Sequence, residues 1–161
     1  MRICCNARRR TRLTKTTIMT AFPDKTIQRL SYAGLIPFVL LALLMWLVHA
    51  DLLPFVSIAL AAYAAAIASF LGGIHWGLGF MKGEAATRFH FVWGVLPSLM
   101  AWLALMMPAH AALPLLGLVL IACYAVDRKT YPEVGLSRWL PMRLQLTVVA
   151  VLSCVLSAAV I

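Results

Sequence analysis

Acid is scarce in this chain: five Asp and Glu stand against fourteen Lys and Arg. None of the five (Asp24, Asp51, Glu84, Asp127 and Glu133) falls inside a long apolar run. Proton pumps and ion-coupled transporters use carboxylates within the membrane, so their apparent absence disfavours a stand-alone transporter. Cysteine is sparse as well. Cys4 and Cys5 are adjacent, while Cys123 and Cys154 lie singly in apolar runs, with no CxxC and no Cys/His spacing of a zinc site. The two isolated cysteines read as small packing residues, and no metal is expected. A Walker loop, an HExxH helix and a nucleophile–base pair are also missing, which argues against an enzyme. No inverted repeat relates two halves of the chain.

What the chain has in abundance is apolar sequence. Hydrophobic residues make up 63% and the mean hydropathy is +0.93. A helix needs about 20 apolar residues to cross a bilayer. Five runs approach that length: 33–50, 54–81, 89–107, 109–126 and 144–161. The expected fold is all-α, an integral membrane bundle of five transmembrane helices forming one domain over 27–161 behind a basic tail, 1–26. Pro37 and Pro97 each remove a backbone bond and permit a kink in the first and third spans, with ordinary helix bends the favoured reading. Pro132, Gly135 and Pro141 argue against a long helix in the polar stretch 127–143.

Charge supplies the orientation. Eight basic residues precede the first run; Lys82 and Arg88 follow the second; Arg128, Lys129, Arg138 and Arg143 follow the fourth. All lie on one side of the alternating topology, which by the positive-inside rule places the N-terminus inside and the C-terminus outside. The net charge of +9 is therefore read as flanking charge for anionic lipid headgroups, with no nucleic acid partner. The expected location is a bacterial inner membrane, with the mitochondrial inner membrane as the alternative. The first eighteen residues carry six basic residues and no acid, without the apolar core of a secretory signal. Met19 is favoured over Met1 as the start of translation.

The second run carries the motifs. Small residues recur every fourth position at Ser57, Ala61, Ala65, Ser69, Gly73 and Gly77, with a second stripe at Ala64, Ala68, Gly72 and Gly79. Helices in lipid associate through close backbone approach, so this helix is expected at the centre, crossed most tightly at Gly72–Gly73 and Gly77. A homodimer face, or a face for another membrane protein, is the alternative use of the stripe. The block Gly72-Gly73-Ile74-His75-Trp76-Gly77 is the one stretch with chemical character. His75 lies roughly 9 Å from the inner boundary at about 1.5 Å per residue. A neutral imidazole bonded to a neighbouring helix, through Ser98, Tyr124 or Gln145, is weighed above a haem or quinone ligand. His90 reads as an interfacial side chain among Phe89, Phe91 and Trp93.

Four segments carry a resemblance: Tyr32-Ala33-Gly34-Leu35-Ile36-Pro37-Phe38, Ser69 to Gly77, Trp93-Gly94-Val95-Leu96-Pro97-Ser98, and Asp127-Arg128. Together they resemble the bacterial domain-of-unknown-function 3429 family, to which eukaryotic transmembrane protein 69 looks related. The resemblance covers Ile27 to the C-terminus and implies a small multi-pass membrane protein of unassigned activity, with no catalytic residues to carry over. The leading expectation is a non-enzymatic structural or assembly component of a membrane system. A small-molecule or lipid transporter, or a haem- or quinone-binding redox component using His75, is the alternative.

Overall fold

The structure is a computed structural model and describes residues 24–161. The basic tail up to residue 23 lies outside the described residues, and with it the choice between Met1 and Met19. Helices and short 3-10 turns, with no strand, make up the described residues. Five helical stretches are long and apolar enough to cross a membrane: Lys25–Leu47, Ala50–Ala85, Arg88–Leu105, Ala109–Thr130 and Ser137–Ala158. Such a chain is a multi-pass membrane protein, because in lipid a helix satisfies its own backbone polar groups.

The first helix, α1 (Asp24–Ala33), belongs to a unit of its own that ends at Ala33. It is polar and charged over its first two turns. The second unit begins at Gly34 and holds α2 (Ile36–Leu47), α3 (Leu53–Lys82), α4 (Arg88–Leu105), α5 (Ala109–Thr130) and α6 (Leu140–Ala158). Within it α3 touches each of the other four helices, most extensively α4, while α2, α6, α5 and α4 follow one another around it. At 30 residues, α3 rises about 45 Å, longer than the hydrocarbon is thick.

Pro37 sits in the first turn of α2, where proline starts a helix instead of bending it because the first amides have no intrahelical partner. Pro37 thus opens α2 just after the helix break at Gly34 and Leu35, and puts no bend within α2 itself. Pro97 does lie inside α4 and is buried there. Gly34 is held by α3, whose Tyr63 hydroxyl donates to its carbonyl at 2.8 Å, and the Tyr63 ring meets Phe38 edge-on at 5.1 Å.

The core is built from small residues. Ala61, Ala64, Ala65 and Ala68 of α3 pack with Ala101 and Ala104 of α4, Leu113, Leu116 and Leu120 of α5, and Cys154 of α6. Cys123 and Cys154 are both buried and free. The fourfold stripe on α3 divides along its length. Ser57, Ala61 and Ala65 are buried, Ser69 is half-buried, and Gly73 and Gly77 are exposed, with nothing near where a Cβ would stand. The helix twist explains this. Steps of four residues advance about 40° each, so the stripe winds about 200° around the helix between Ser57 and Gly77. The buried line that keeps helical pitch is Ala61, Ala64, Ala68, Gly72, His75 and Gly79. Close approach falls at Gly72, where an added methyl would collide with the Gly94 carbonyl of α4.

Between α5 and α6 the chain makes two 3-10 turns, Pro132–Val134 and Ser137–Trp139. Gly135 between them takes φ 74°, a left-handed conformation that glycine adopts without steric cost.

Candidate functional site: a buried charged cluster at the basic end

The glycine crossing delivers His75 to the interior. Trp76, next in sequence, lies over Gly94, and its indole N–H donates to the Phe91 carbonyl at 3.0 Å. That bond fixes α3 against α4 and leaves His75 pointing inward at 1% exposure. Its partner is Asp127, whose Oδ1 lies 3.1 Å from His75 Nε2.

Asp127 is the residue that sequence reasoning placed outside the spans, and the structure corrects this. Helix α5 runs on to Thr130, one turn past the expected end at Val126, and Asp127 is 2% exposed. Its other oxygen, Oδ2, accepts from Arg143 of α6 through both Nε (3.0 Å) and an Nη. One carboxylate thus joins α3, α5 and α6. A carboxylate only accepts, so His75 must present Nε2–H to it. Arg143 supplies the countercharge, and with His75 neutral the trio sums to zero.

Tyr131, just beyond α5, completes this side. Burial pushes its phenol above the usual tyrosine value; the Asp127 charge adds to the effect, while Arg143, which is hydrogen-bonded to it, opposes it.

His90 opens a second arm. It is buried at 3% exposure, not interfacial, because α4 begins at Arg88 and turns this position onto its inner face with Gly94, Pro97 and Ala101. Gly79 of α3 makes room for it: a Cβ there would stand 3.4 Å from the His90 Cβ and 2.9 Å from the Phe91 ring. The His90 and His75 rings stack with centroids 6.0 Å apart and planes 24° apart. Lys82 Nζ lies 3.1 Å from His90 Nε2 and 3.7 Å from Glu133. An ammonium only donates, so His90 Nε2 accepts and its hydrogen sits on Nδ1. The Nδ1 atoms of His75 and His90 are both buried without a hydrogen-bond partner.

Of the residues singled out from sequence, Gly72 and His75 enter this cluster or its packing directly, and Trp76 braces it. Gly73 and Gly77 lie on the opposite, open side. Among the described residues no group of three or more His, Cys, Asp or Glu is arranged to hold a metal. A bond from either histidine to a haem iron would require releasing an Nε2 that is already engaged or opening an Nδ1 that is enclosed.

Asp127, His90 and Arg143 were missed as members of a site, yet each continues the period of its own helix. Leu113, Leu116, Leu120 and Cys123 lead to Asp127; Arg143 leads to Thr147, Ala150 and Cys154.

Comparison with known proteins covers nearly all of the described residues. The family described as "Protein of unknown function (DUF3429)" matches residues 23–159. The chain belongs to this family. Transmembrane protein 69 of Xenopus tropicalis is 39% identical over 133 residues, which cover 78% of this chain and 51% of that protein. The chain thus spans about half the length of that relative. No solved structure matches.

Proposed function

We propose that the protein is a non-enzymatic structural or assembly component of a membrane system, held in shape by the charged cluster. The observation that carries this reading is Asp127, one buried carboxylate whose two oxygens are spent on His75 of α3 and Arg143 of α6. A clamp of this kind fixes helix register and leaves little polar capacity for a substrate. Buried ion pairs are most securely attributed to such specification of structure. The basic end, with Arg128, Lys129 and the Arg138 guanidinium lying 5.3 Å over the Trp139 ring, faces anionic headgroups on the inner side of a bacterial membrane, and the N-terminus lies on that same side. The mitochondrial inner membrane is the alternative location.

A second reading, a small-molecule or lipid transporter, draws support from the same carboxylate. Buried acid within a span is a common element of transport sites, and its presence removes the sequence argument against transport. A haem or quinone at His75 ranks third, because the nitrogens it would use are engaged or enclosed.

Gentle purification from native membranes followed by native mass analysis tests the proposal. The expected result is a defined membrane-protein partner at fixed stoichiometry. A chain that emerges alone with a bound small molecule would overturn the assembly reading and favour transport.

A further inference from the structure

Lys82 and Asp127 impose opposite tautomers on two stacked histidines. His90 is left with Nδ1–H, a donor, and His75 with a bare Nδ1, an acceptor; both are buried and neither has a partner. The rings are 6.0 Å apart between centroids. From this arrangement we propose that His75 and His90 form a single proton-binding site, loaded from the basic end through Lys82 and Glu133.

The transfer balances atom by atom. An N–H bond of Lys82 breaks as His90 Nε2–H forms. The His90 Nδ1–H bond breaks as His75 Nδ1–H forms, once the rings turn out of their stacked arrangement so that the two Nδ1 atoms meet. A hydronium ion at the basic end restores the Lys82 ammonium and leaves water. The net change is one proton moved from solvent to His75, with nothing oxidised or reduced. His90 then carries Nε2–H, facing the Lys82 ammonium, and two donors cannot bond each other. Lys82 is thereby released toward Glu133, which is 65% exposed. The bare His90 Nδ1 now faces His75 Nδ1–H, so the pair again presents one donor and one acceptor, with the positive charge placed on the ring beside Asp127. A second proton would set two N–H groups against each other in a buried space, which is costly.

Among the described residues, the charged and titratable groups around the pair enter this scheme as follows. Lys82 stands beside them on α3. Asp127 faces His75 from α5 and Glu133 acts on His90 from the turn that follows, while Arg143 of α6, Cys123 and Tyr131 lie around Asp127. Asp127 accepts from His75 through one oxygen and from Arg143 through the other, so a charge gained by His75 would lie against a carboxylate held in place from α6.

The test uses the full chain in phosphatidylcholine–phosphatidylglycerol liposomes. The exposed His49 and His110 are replaced by Asn, and the remaining histidines are labelled with nitrogen-15. Solid-state NMR from about pH 8 to about pH 5 spans the range in which histidine ordinarily titrates. The expected result is one Nδ1–H and one Nε2–H imidazole at the alkaline end, and uptake of one proton per chain on acidification. Like tautomers, uptake of two protons, or uptake of none would overturn the proposal. Lys82→Met keeps both histidines and should release the tautomer of His90 alone. An unchanged His90 signal in that variant would overturn the role given to Lys82. These readings do not depend on whether the protein assembles with a partner.

Discussion

Two His–Asp pairs stand among the described residues, and they differ in almost everything but chemistry. His49 and Asp51 lie 3.4 Å apart beside a 3-10 turn, with side chains 85% and 91% exposed. His75 and Asp127 lie 3.1 Å apart with side chains 1% and 2% exposed. The first pair is two residues apart in sequence and meets because the chain turns there. The second is separated by 52 residues and meets only because α3 and α5 pack. In water an exposed pair contributes little, since solvent competes for both partners. In a desolvated interior each charge depends on its partner, and removing one partner strands the other. Position decides the consequence, not residue type.

Breaking the buried pair has the largest expected effect. Asp127→Ala leaves Arg143 charged and His75 unpaired inside the bundle, which costs about 3–5 kcal/mol. Unfolding of the purified protein in mixed detergent would read this as a large loss of midpoint or of folded yield. Replacing the trio together (His75→Leu, Asp127→Leu, Arg143→Met) sharpens the point. If the trio serves only as a clamp, stability returns to within about 1–2 kcal/mol of the parent, because no charge is left stranded. A triple variant as unstable as Asp127→Ala would show that the cluster does more than neutralise itself.

Next comes the crossing that places His75. Gly72→Ala sets a methyl against the Gly94 carbonyl, and Gly94→Ala sets one against Trp76. Overpacking of this kind costs about 1–3 kcal/mol. Gly77→Ala, five residues from Gly72 on the same helix, meets nothing and should leave the detergent midpoint within about 0.5 kcal/mol of the parent.

A smaller effect lies at alkaline pH. The Tyr131 phenol titrates above its ordinary value in the folded chain, chiefly through burial. An acid whose folded value is raised costs nothing below its unfolded value of about 10. Above that the unfolded chain ionises first, so stability falls as pH rises. Tyr131→Phe should reduce that fall, measured as the change in midpoint between about pH 9 and about pH 11. The smallest effect is at the exposed pair: Asp51→Ala should not shift the midpoint measurably.

Much of this fold is legible without coordinates. Long apolar runs that must bond their own backbones specify five helices, and Gly-Gly-Ile-His-Trp-Gly marks the helix that the others surround. The cluster was harder to read for a definite reason. Hydropathy ends a span at its first charges, so Asp127 and Arg143 were assigned to a loop; the helical period of α5 and α6 carries them onto buried faces. His90 was likewise placed at the interface by its aromatic neighbours, although it lies four residues from the buried Gly94. The i+4 glycines misled in the opposite sense, because a stripe at that spacing drifts around the helix.

By itself, then, the sequence determined that the chain is a membrane protein and that five helical stretches are long and apolar enough to span. These follow from properties summed over short windows: hydropathy and backbone self-satisfaction. Tertiary structure decided which glycine makes the crossing, which acid is buried, and which tautomer each histidine must hold. Those depend on helix phase and on partners tens of residues away, brought within about 3 Å only when the helices pack.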